Sequence, residues 1–110
     1  MSGQDLSIQL LDTEKRLHIA LGELGKYGRE HAQAEEKYRV ALAQKILMER
    51  DKGVPVTIIS DICRGDRTIA RMKLERSVAE VMYTVTLERI QAYKLSMRML
   101  DAQIQREWGR

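Results

Sequence analysis

Apolar residues recur along most of this chain at steps of three and four, the spacing that gathers one side of an α-helix. The first such run takes in Leu10, Leu17, Leu21 and Leu24, with Ile8, Leu11 and Ile19 beside it. It resumes through His31, Ala34, Tyr38, Ala41, Leu42, Ile46 and Leu47. Asp5 or Ser7 is placed to cap this first helix, which the pattern extends over about residues 5–50. A second run reads Ile69, Met72, Ala79, Tyr83, Leu87, Ile90, Tyr93, Met97, Leu100, Ile104 and Trp108. Asp66 is its expected cap, and the helix is expected to span about 66–108. Near its start this helix carries another apolar stripe, Leu74, Val78, Val81, Met82 and Val85.

Between the two helices lies Lys52-Gly53-Val54-Pro55-Val56-Thr57-Ile58-Ile59-Ser60-Asp61-Ile62-Cys63-Arg64-Gly65-Asp66, which contains the only proline of the chain. Proline lacks an amide donor and crowds the preceding turn, so one helix cannot run through it without cost. Residues 51–66 therefore form an apical turn. They are too rich in Val and Ile for a solvated linker, and Thr57 is placed to cap a short helix over Ile58–Cys63 that Gly65, in a left-handed conformation, would end. The fold class expected is all-α: a long antiparallel helical hairpin, one domain over 1–110, with a short helix in the turn. Gly22, Gly25 and Gly28 each weaken a helix by about 0.5–1 kcal/mol relative to Ala. They predict a break or bend in the first helix near 22–28, with a close-approach groove as the alternative. Two long helices side by side make a thin core, and the extra stripe needs covering. Self-association into a helical-bundle oligomer is the expected solution.

Charge sharpens one part of this picture. Of the 110 residues, 19 are Lys or Arg and 16 are Asp or Glu. Within 50–76 the balance is seven basic (Arg50, Lys52, Arg64, Arg67, Arg71, Lys73, Arg76) against four acidic, which equals the net +3 of the whole chain. Arg64, Arg67 and Arg71 share one helical face. A row of this kind suits phosphate or an acidic protein surface. No aromatic residue interleaves with it, so a stacking platform for single strands is not indicated.

Catalytic chemistry is hard to assemble from these residues. His18 and His31 stand thirteen apart, and the single Cys63 is far from both, so no metal-ligand spacing exists. The glycine series follows no strand, which removes a phosphate loop. Ser60, Asp61 and Cys63 lie together without a histidine to activate them. No enzyme activity, cofactor or metal is expected. No apolar run is long enough to span a membrane, and the N-terminus lacks the features of a signal peptide. With a single cysteine, the expected location is the cytoplasm.

The segment from Gly53 to Gly65 also looks like the turn and recognition helix of a phage-repressor-type helix-turn-helix, presenting Thr57, Ser60, Asp61 and Arg64 to nucleic acid. It departs from that pattern at Glu49, where a small residue is usual, and at Lys52, where an apolar one is. More broadly, the second half of the chain, from Gly-Val-Pro-Val-Thr-Ile-Ile-Ser-Asp-Ile-Cys-Arg-Gly-Asp to the closing Gln103-Ile104-Gln105-Arg106-Glu107-Trp108-Gly109-Arg110, resembles small uncharacterised proteins encoded by tailed phages and prophages of Gram-positive bacteria. The likeness covers roughly residues 29–110. It implies a phage accessory role in the bacterial cytoplasm and carries no catalytic or binding residues with it. Two functions are expected on these grounds. The first is a non-enzymatic homo-oligomer that binds a host or phage protein in replication, recombination or counter-defence. The alternative is a nucleic-acid-binding module using the basic end. The candidate surface for either is Arg50, Lys52, Thr57, Ser60, Arg64, Arg67, Arg71, Lys73 and Arg76.

Overall fold

A computed structural model describes residues 2–109. Three helices follow one another: α1 over Gly3–Asp51, α2 over Val56–Gly65 and α3 over Arg67–Trp108. The hairpin of two long helices with a short one in its turn is thus present. No strand occurs among the described residues.

The first helix starts earlier than its apolar pattern suggests. Neither Asp5 nor Ser7 is its cap. Ser2 Oγ accepts a hydrogen bond from the Asp5 amide at 3.2 Å and donates to the Asp5 carboxylate at 2.9 Å. The first of these bonds satisfies the Asp5 amide, which would otherwise lack a partner in the first turn, and the second holds the Ser2 hydroxyl in place. Past this start, α1 is one helix, unbroken from Gly3 to Asp51, so the expected break at Gly22, Gly25 and Gly28 is absent. Three glycine penalties of under about 1 kcal/mol each are smaller than the loss of packing that breaking the helix would entail.

The chain forms two compact units, and both long helices contribute to each. One unit combines α1 up to Lys26 with α3 from Tyr83 onward; the other comprises Tyr27–Met82. In the first, Leu6, Ala20, Thr86 and Ile90 are buried, and Arg89 Nη1 bonds Glu23 Oε2 at 2.8 Å across the helix pair. The Gly3 backbone there lies against the indole of Trp108, whose Nε1 would be only 2.8 Å from a Cβ at residue 3. Contacts between the start of α1 and the end of α3 make the pair antiparallel. In the second unit Tyr38, Ile59, Cys63 and Ile69 are buried. The Glu35 carboxylate pairs with Arg39 at 2.7 Å on its own helix and with Arg76 at 3.3 Å on α3. The Arg76 guanidinium also stands 4.7 Å from the centre of the Tyr38 ring. Each fully buried isoleucine side chain contributes about 1.5–3 kcal/mol, and no buried side-chain polar atom among the described residues lacks a partner.

The α3 stripe chosen from its spacing is buried or half-buried along its length, except for Trp108, which is 73% exposed. The other stripe stays open among the described residues. Leu74, Val78, Val81 and Val85 are each 46–62% exposed, and Met82 is 37% exposed.

Candidate functional site

The basic end of the chain is built around the stop of α1. Gly53 has φ +86°, the one left-handed residue among those described. Its amide donates to Arg50 O at 3.0 Å, and the Val54 amide to Glu49 O at 3.1 Å. These two bonds satisfy the last carbonyls of α1 in the Schellman arrangement. Only glycine reaches this conformation without strain. The left-handed glycine is therefore Gly53 and not Gly65, which is the last helical residue of α2.

Pro55 sits just ahead of α2, and its carbonyl accepts from the Ile58 and Ile59 amides, both at 3.1 Å. No side chain caps this helix, so Thr57 is not its cap; it lies inside the first turn. Proline's fixed φ already suits a helix start, which is why α2 begins at Val56 without help. One turn apart, Ile59 and Cys63 are its only buried residues. Thr57, Ser60, Asp61 and Arg64 fall together on its polar, exposed side. Val56, Ile58 and Ile62 are also exposed, between 42 and 75%. Beyond α2, Asp66 caps α3 as its position suggests, its Oδ1 accepting from the Thr68 and Ile69 amides at 3.0 and 3.1 Å.

Electrostatics at this end separate paired from unpaired cations. Glu49, only 8% exposed, meets Lys45 at 3.1 Å and Lys52 at 3.4 Å. The hydrogen bond from Lys45 holds the Glu49 carboxyl below the usual glutamate range, helped by the charge of Lys52 and opposed by burial. The same bond raises Lys45, which also reaches Asp66 at 3.7 Å. The acidic residue that departs from the repressor-type pattern is thus neutralised by two lysines and belongs to the packing. Arg76 is likewise held by Glu35 and Tyr38. Of the expected surface, Lys52 and Arg76 are engaged within the chain. Arg50, Thr57, Ser60, Arg64, Arg67, Arg71 and Lys73 are exposed.

Sequence spacing alone overlooked the aliphatic edge of α2 as a surface, because Val56, Ile58 and Ile62 read as core. An open groove of about 400 Å³ also lies in this unit, with Val40, Ala41 and Gln44 of α1 and Met72 of α3 in its lining. Glu36 and Lys37 also line it, and no histidine, cysteine or serine does. Among the described residues no three His, Cys, Asp or Glu side chains gather as metal ligands, and no helix is long and apolar enough to cross a membrane. Against protein-family models, curated proteins and solved structures, the chain finds no match.

Proposed function

We propose that this is a non-enzymatic binding protein whose apical end docks on a partner protein. The observation that carries this reading is the state of α2. It buries two side chains and leaves three aliphatic ones in water, next to the unpaired Arg64. Exposed aliphatics bordered by cations suit a partner with an apolar cleft and an acidic rim. A phage accessory role in the bacterial cytoplasm, with a host or phage protein of replication, recombination or defence as the target, extends this reading along the resemblance noted above.

A second reading has its own support. The left-handed Gly53, the short turn and the docked Ile59 match the local form of a helix-turn-helix, with Thr57, Ser60, Asp61 and Arg64 on the outer face.

Capture from nuclease-treated bacterial lysate, with bound proteins identified by mass spectrometry, tests the first. The wild type enriches a defined protein that Ile58→Glu/Ile62→Glu and Arg50→Glu/Arg64→Glu variants lose, while helicity stays unchanged. Binding that instead requires duplex DNA, and whose log affinity falls steeply with log salt, selects the second reading. Variants that fold and keep every activity of the parent rule out this end of the molecule in both.

A further inference from the structure

The uncovered stripe of α3 has a stricter order than an amphipathic helix requires. Arg71, Leu74, Val78, Val81, Val85 and Glu88 follow steps of three and four in strict alternation, which is the heptad seam of a coiled coil. All six belong to one helix, so their alignment follows from its own rise and twist. The seam lies about 160° around α3, at roughly 100° per residue, from the side chains that pack on α1. Every one of the six is exposed, and neither Arg71 nor Glu88 makes an ion pair within the described chain.

We infer that this seam is closed by α3 of a second copy, running antiparallel. In an antiparallel pair each first-type core position of the heptad faces the second type on the other helix. One register then matches every layer. Val78 faces the partner's Val81, Leu74 faces the partner's Val85, and Arg71 faces the partner's Glu88. Two-fold symmetry repeats each layer, and the axis passes between Ala79 and Glu80. Four aliphatic layers are thus closed at both ends by an Arg–Glu pair, over about 26 Å of helix. A parallel pair would set Arg71 on the partner's Arg71 and Glu88 on the partner's Glu88. Like charges at core positions are repulsive, so charge selects the antiparallel form. Ser77 and Thr84 on one flank are uncharged; on the other stand Glu75, Met82 and Arg89, the last held by Glu23. This surface is distinct from the outer side of α2, and the inference stands whether or not the apical end binds a protein.

Sedimentation equilibrium between about 1 and 100 µM tests it, with circular dichroism confirming that each variant keeps its helicity. The wild type is expected to be a dimer by about 100 µM. Arg71→Glu and Glu88→Arg each raise the dimer Kd about tenfold or more, and the two changes combined return it to within about threefold of wild type. A wild type that stays monomeric at about 100 µM overturns the inference, as does a combined variant as weak as the single ones. Orientation is read from cysteine trapping, with the native Cys63 fully buried and silent. Leu74→Cys mixed with Val85→Cys gives a disulfide between unlike chains. Leu74→Cys alone gives little, because its two copies would stand about 16 Å apart along the axis. A prominent Leu74→Cys homodisulfide would show a parallel seam and refute the proposed register.

Discussion

At Gly53 the backbone passes through φ +86° to end α1, whereas Gly22 lies inside α1 with open space where a Cβ would stand. Alanine therefore has opposite effects at the two positions. Gly53→Ala places a Cβ in the left-handed region and destabilises by about 1–2 kcal/mol. Gly22→Ala removes backbone freedom from the unfolded chain, meets nothing, and stabilises by about 0.5–1 kcal/mol. Denaturant midpoints at constant slope measure both; a stabilising Gly53→Ala would disprove the Schellman stop. Residues of this kind divide what the sequence could and could not reveal. Asp66 was legible because a short acid before a long periodic run has one obvious use. Ser2 was not, since it stands eight positions before Leu10, the first member of the stripe. Glu49 looked like a misfit until Lys45 and Lys52 were seen to lie against it.

Among the helices, α3 was the most legible, because its buried stripe is written in large side chains at helical spacing. The members missed, Leu6, Ala20 and Thr86, fall on the same spacings: Leu6 four before Leu10, Ala20 three after Leu17, Thr86 four before Ile90. A search for large apolar residues skips Ala20 and Thr86, which are small or hydroxylated, and Leu6 lay too close to the expected start of the helix to be counted in the stripe. The unbroken course of α1 was hidden for a different reason. Glycine propensity is a local quantity, whereas the packing that carries the helix past residues 22–28 is not. For α2, composition showed that a helix forms but not which aliphatics it buries. Ile59 and Cys63 were indistinguishable in advance from Ile58 and Ile62. The candidate surface was correspondingly legible in its cations and illegible in its apolar edge.

Taken as a whole, the molecule ties its helices together with ion pairs whose protonation sets its tolerance of pH. Arg39, by hydrogen bond, and then Arg76, by charge, hold Glu35 below the ordinary glutamate value of 4.5; Lys45 does the same for Glu49. A lowered carboxylate contributes stability that is complete above 4.5 and disappears as pH falls through its folded-state value. Lys45 is raised, so its contribution is complete below 10.5 and disappears as pH rises through its own. Stability should form a plateau between these limbs. Glu35→Gln/Glu49→Gln flattens the acid limb, and Glu49→Gln also softens the alkaline one. Thermal midpoints recorded from about pH 3 to 12 check this, and an acid limb unchanged in the double variant would disprove it.

The indole resting on Gly3 gives the protein an internal fluorescent gauge. Trp108 is the only tryptophan in the chain, and it reports on the place where the first turn of α1 meets the last turn of α3. Helix ends open locally at lower free energy than the core. Its emission should therefore shift at lower denaturant than the far-ultraviolet ellipticity, which follows all three helices together. Gly3→Ala pushes the indole aside and should shift the emission of the native state toward the red, leaving the ellipticity midpoint almost unmoved. Coincident transitions in the wild type would instead mean that this end melts only with the rest of the molecule.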